Sequence, residues 1–98
     1  MHAVVNLLTF ADTIPEGLFP SAERDLAEGL RAVPGFEGLR IAQTSDTTAV
    51  LLIFGDSPET LDRLATELGS PWMREHVVPL LAGPPQRNVG AIVADIPA

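Results

Sequence analysis

Residues Ala49-Val50-Leu51-Leu52-Ile53-Phe54 are six consecutive apolar positions that follow the polar turn Ser45-Asp46-Thr47, and they restrict the fold more than any other part of the chain. A run this short, bounded by a turn, suits a strand better than a helix. Side chains alternate across a strand, so Val50, Leu52 and Phe54 share one face while Ala49, Leu51 and Ile53 share the other. Both sets are apolar. The segment Ala3 to Phe10, interrupted only by Asn6 and Thr9, repeats the pattern. Strands of this kind belong in a sheet that is covered on both sides.

The remaining segments predict cover for one side. Ala22, Leu26, Leu30 and Val33, spaced four, four and three apart, form one face of an amphipathic helix, with Glu23, Arg24, Asp25, Glu28 and Arg31 on its outer side. Thr13-Ile14-Pro15-Glu16 resembles a capping box, but Pro20 suits only a first turn, and the helix is expected to begin near Ser21. Val33-Pro34-Gly35-Phe36 stops it. Phe36 to Gln43 then reads as a second strand with a wetter face, Leu39 and Ile41 against Arg40 and Gln43. Ser57-Pro58-Glu59 is a strong helix start, combining a hydroxyl cap, proline at the first helical position and an acid near the positive end of the dipole. Leu61, Leu64, Ala65 and Leu68 form its stripe, and Gly69 is expected to end it. Ser70-Pro71 repeats the start signal for a shorter helix carrying Trp72, Met73, His76, Val77 and Leu80, stopped by Gly83-Pro84-Pro85. Asn88 to Ile96 is the expected last strand, weakened by Gly90.

The order strand, helix, strand, strand, two-part helix, strand is the split βαβ arrangement. The expected fold is α+β and ferredoxin-like, a single domain over residues 1–98 with a four-stranded antiparallel sheet and helices on one face. Three or four apolar side chains left wet on the other face would each forfeit about 1.5–3 kcal/mol of burial, a sum comparable to a small domain's whole stability. A second copy of the chain is the simplest cover. The alternative is a sheet curled over a ligand.

Charge and composition exclude several classes. The formal net charge is −7, with thirteen acidic side chains against six basic ones and no basic cluster, so neither nucleic acid nor an anionic membrane is an expected partner. Cysteine is absent, which removes disulfides, thiolate nucleophiles and thiolate metal sites. Tyrosine is absent as well. Met1-His2-Ala3-Val4-Val5-Asn6 has no basic segment of a signal peptide, no apolar run reaches the roughly 20 residues of a membrane span, and a cytoplasmic location is expected.

Pro34-Gly35-Phe36-Glu37-Gly38 leading the second strand, and Ser70-Pro71 opening a short helix that runs to Leu81-Ala82-Gly83-Pro84-Pro85, resemble the antibiotic biosynthesis monooxygenase family over most of the chain. The resemblance implies a dimeric α/β barrel in which two such sheets pack together. It also implies one of two chemistries. In one branch of the family, cofactor-free enzymes oxidise aromatic polyketides with molecular oxygen. In the other, haem is bound between sheet and helices and degraded, with a histidine of the second helical region on the iron. Asn6 matches the family's first-strand asparagine, and His76, five residues after Pro71, matches the histidine position. Glu67 stands where the haem branch has a tryptophan, and Leu52 and Asp56 stand near the third-strand asparagine and tryptophan of the polyketide branch.

The candidate site residues follow. His76 and Asn6 are the candidate catalytic residues. A neutral imidazole at His76 would accept a proton near pH 7, or ligate iron if haem is bound, and would otherwise be a half-buried surface residue. Asn6 lies mid-strand among apolar neighbours, where an unpartnered amide costs about 1–3 kcal/mol; it either bonds neighbouring backbone or addresses a ligand. Trp72 is a ring platform or a core residue. Phe10 and Phe54 are expected as apolar wall, and Arg40 and Arg74 as partners for a carboxylate or a haem propionate, or else as solvated surface. No phosphate-cradling loop, hydrolase triad or metal cluster is visible. The expected activity is a small oxygenase of a polyketide-like or other small hydrophobic substrate, without cofactor. Haem binding and a non-catalytic carrier of a small hydrophobic or aromatic molecule are the alternatives.

Overall fold

A computed structural model describes residues 1–98. The strands are β1 (His2–Thr9), β2 (Phe36–Gln43), β3 (Thr48–Gly55) and β4 (Gln86–Ala91), and the helices are α1 (Leu18–Arg31), α2 (Pro58–Leu64) and α3 (Ser70–His76). The strands form one antiparallel sheet in the order β2-β3-β1-β4. This is the α+β ferredoxin-like fold expected from the order of elements.

The helices begin and end for local reasons. Ser57 caps α2, its side chain accepting a hydrogen bond from the Thr60 amide, with Pro58 in the first turn. At α1 the start differs from the expectation: the helix opens at Leu18, after Gly17, and Pro20 lies within its first turn, where its missing N–H costs nothing. Gly69 does not end the second helical region. A π-helical turn, Ala65–Gly69, carries the chain from α2 into α3 without a break. The last strand is shorter and earlier than expected, ending at Ala91, and beyond it Val93 and Ile96 stand almost fully exposed.

Register assigns the two faces of the sheet. Val4 pairs with Ile53, and Asn6 with Leu51, on the side that meets the helices. There Val4, Leu8, Leu51 and Ile53 pack against Leu26 and Leu30 of α1 and Leu61 and Leu64 of α2 in one buried core. On the opposite side Ala3 pairs with Phe54, Val5 with Leu52 and Leu7 with Val50. No element covers that side. Val5 is 36% and Leu7 41% exposed, whereas Val4 and Leu8, one residue away on the inner face, are nearly sealed.

Candidate functional site

The cavity between the sheet and the helices is where the chain departs most from a plain apolar core. Val4, Asn6, Leu51 and Ile53 form its floor, Leu26 and Leu30 of α1 one wall, and Trp72 and Met73 of α3 the other. Ala65 and Gly69 of the π-helical turn and Arg87 of β4 complete its rim. Its free volume in this arrangement is about 60 Å³, below the usual range of small-molecule sites, so an aromatic ring system enters only as α1 and α3 part. Helices carrying a π-turn often place it at a functional site.

Asn6 sits in the floor because strand alternation puts it on the same face as Val4 and Leu8. Its Oδ1 is sealed from solvent and has no hydrogen-bond partner. A buried acceptor left in that state costs about 1–3 kcal/mol. Opposite Asn6 on the neighbouring strand lies Arg87. Among the lining residues Arg87 is the only one that carries a charge, and its nearest carboxylate is Asp62 of α2, 3.7 Å away.

Trp72 is 6% exposed and is held from two sides. Its indole N–H donates to Oδ2 of Asp25 on α1 across 3.3 Å, and the His76 ring lies over it, with centroids 5.2 Å apart and planes tilted by 37°. The Asp25 bond fixes the indole as cavity wall. His76 does not line the cavity; its Nε2 is 3.8 Å from Glu75.

Of the seven residues singled out from the sequence, the cavity therefore brings together Asn6 and Trp72. Phe10 is buried elsewhere in the core, edge-on to Phe19 at 6.0 Å. Phe54 and Arg40 lie on the uncovered side of the sheet, since they pair with Ala3, Gly38 and Leu52 of that face. Arg74 is exposed on α3. Arg87 and Asp25 were missed. Every residue of β4 is exposed, so its sequence lacks the hydrophobic alternation that would have shown which side Arg87 faces. For Asp25, a carboxylate on the polar side of an amphipathic helix gives no sign of a distant indole partner.

A wider groove between α1 and β2 is lined by Phe19, Phe36, Leu39 and Ile41, with Glu23 and Glu37 beside them. It contains no sealed polar atom.

Fold and cavity together define a ferredoxin-like α+β chain with a candidate site, an apolar cavity, between its sheet and its helices. The solved structures similar to it carry the fold of the antibiotic biosynthesis monooxygenases. One is a monooxygenase from the gene ActVA-Orf6 of Streptomyces coelicolor, in complex with nanaomycin D, at 22% identity and a TM-score of 0.77 over 99% of this chain and 92% of that one. A second is SnoaB, a cofactor-independent oxygenase from Streptomyces nogalater, at 15% identity and a TM-score of 0.74 over 99% and 97% of the two chains. A third is MhuD, a haem-degrader from Mycobacterium tuberculosis with two haems in its active site, at 17% identity and a TM-score of 0.62 over 99% and 100%. No family model and no curated protein sequence matches the chain. No helix is long and apolar enough to cross a membrane.

Proposed function

We propose that this chain is a small monooxygenase that acts with molecular oxygen, and without a bound cofactor, on hydroxylated aromatic or related hydrophobic molecules held between its sheet and its helices. The observation that carries this proposal is the sealed, unpartnered Oδ1 of Asn6 in an apolar cavity walled by Trp72. A phenolic hydroxyl satisfies that oxygen while its ring lies against the indole. The similar structures that hold nanaomycin D or work without a cofactor support the same assignment.

An anthrone-type ring methylene is acidic because the charge left by its proton spreads over the flanking carbonyl and rings. The anion supplies electrons to oxygen directly: the CH2 group and O2 become a carbonyl and one water, with all four electrons drawn from the substrate. No carboxylate or imidazole lines the cavity, so the proton passes to water. The chain's own part is to bind the ring, orient it and keep the anion in a dry space.

Haem is the alternative occupant. In the arrangement described, no imidazole faces the cavity, and His76 must leave Trp72 before it can present a nitrogen to iron. A second copy of the chain is the proposed cover for the open face of the sheet, giving one cavity per protomer.

The test is oxygen uptake with 1,8-dihydroxyanthrone. The expected result is one O2 consumed per anthrone with formation of the anthraquinone, slowed about tenfold or more in Asn6→Ala. Binding of the anthrone without uptake above its spontaneous oxidation overturns the enzyme and leaves a carrier.

A further inference from the structure

The acidic balance of this chain makes a lone cation at an apolar cavity conspicuous. Arg87 is the one charged residue in the lining, and it stands directly across the strand pair from Asn6. Its present partner, Asp62, is a loose one. The guanidinium Nη2 meets a single carboxylate oxygen at 3.7 Å, and the two side chains are 39% and 74% exposed. Exposed pairs of this kind contribute little and are readily exchanged. A bidentate bond from the guanidinium to a desolvated acid is much the stronger arrangement.

We propose that Arg87 is an anion subsite of the cavity, parked on Asp62 until the acidic oxygen of a ligand takes that carboxylate's place. With Asn6 Oδ1 waiting for a hydrogen-bond donor on the adjacent strand, the site selects a flat hydrophobic molecule bearing an ionised oxygen beside a hydroxyl. The chain's net charge of −7 opposes an approaching anion, but that field is screened beyond about 10 Å at 0.1 M salt. A local cation therefore decides entry. This inference rests on the cavity being the ligand site and not on the oxygen chemistry.

The probes are 3-hydroxy-2-naphthoate and its methyl ester, titrated anaerobically into the full chain and followed by calorimetry and by quenching of Trp72, the only tryptophan. The acid is expected to bind about tenfold or more tighter than the ester. Arg87→Gln is expected to erase that preference. Asp62→Asn is expected to increase it several-fold, with ester binding unchanged. Both variants break the same ion pair, so a purely structural role for the pair moves the two affinities in one direction, while an anion subsite moves them in opposite directions. Equal binding of acid and ester by the unaltered chain overturns the subsite and leaves the cavity as a ligand site. Failure of both probes to bind overturns both. Circular dichroism confirms that the variants fold, as their surface positions lead one to expect.

Discussion

The indole N–H of Trp72 donates to Oδ2 of Asp25 across 3.3 Å and ties α3 to α1 at the wall of the cavity. Asp25→Ala leaves an almost buried N–H without its acceptor, and the expected loss is about 1–2 kcal/mol of stability. Asp25→Asn keeps an acceptor and is expected to keep most of it. Because the chain has one tryptophan, its fluorescence reports on this residue alone. The emission maximum is expected to move to longer wavelength in the alanine variant and to stay in place in the asparagine variant. The same maximum in all three proteins shows that the bond does not hold the ring.

The uncovered side of the sheet carries the second prediction. Leu52 is half-buried at the middle of an apolar block made with Val5, Leu7, Val50 and Phe54. In a dimer that packs face to face, Leu52→Asp buries an unpaired carboxylate at the interface and separates the protomers. Sedimentation velocity at micromolar concentration is expected to give a dimer for the unaltered chain and a monomer for the variant. A cooperatively folded monomer in the unaltered chain removes the second copy from the architecture.

Both apolar faces were legible from strand alternation, and the very feature that made them legible hid which was which. In β3 each parity is apolar, so nothing in the sequence tells whether Phe54 or Ile53 meets the helices; the pairing partners decide it. Arg40 went with Phe54 for the same reason. The start of α2 could be read because its capping hydroxyl, proline and acid are all local. At α1 the start lacks a side-chain cap, and Pro20 marked only a limit. The continuity of α2 into α3 through a π-turn is a tertiary matter: Leu68 sits over Gly29 of α1, where a Cβ would meet its Cδ2 at 3.0 Å. Asn6 was legible as an oddity. Arg87, on an edge strand with no buried neighbour pattern, was not.

At the start of α2, Thr60 Oγ1 donates to Asp56 Oδ1 at 2.5 Å. This bond chiefly, with Ser57 adding to it, holds the Asp56 carboxyl below its ordinary pKa against a smaller opposing effect of burial. A carboxylate whose pKa is lowered by folding stabilises the fold fully above the unfolded value, near 3.9, and ceases to do so as pH falls through the folded value. Thr60→Val is therefore expected to lower the melting temperature at pH 7, with the gap to the unaltered chain closing as the pH is taken below 3. A gap that stays constant across that range shows that the carboxylate is not the partner that matters.

His76 is the residue on which the haem question turns. With its ring over Trp72 and outside the lining, His76→Ala is expected to leave the Soret band of any haemin complex where it is. A band that shifts on mixing with the unaltered chain, and fails to shift in the variant, shows instead that the imidazole swings off the indole to take the iron.

Asn6 offers the sharpest test of function against structure. An amide kept for packing stabilises the fold, and its removal costs stability. An amide kept for a ligand does the reverse in the empty protein: its sealed carbonyl carries a desolvation cost with no bond to offset it. Leucine has the same branched skeleton and no polar atom, and the cavity beside Asn6 has about 60 Å³ of free space for its larger methyls, so Asn6→Leu is expected to stabilise the chain by about 1–2 kcal/mol, a rise of several degrees in melting temperature for a chain of this size. Oxygen uptake and hydroxynaphthoate binding are expected to fall about tenfold in the same variant. A lower melting temperature in Asn6→Leu means that the carbonyl has a partner within the fold, and the cavity then loses the one polar atom that asks for a ligand.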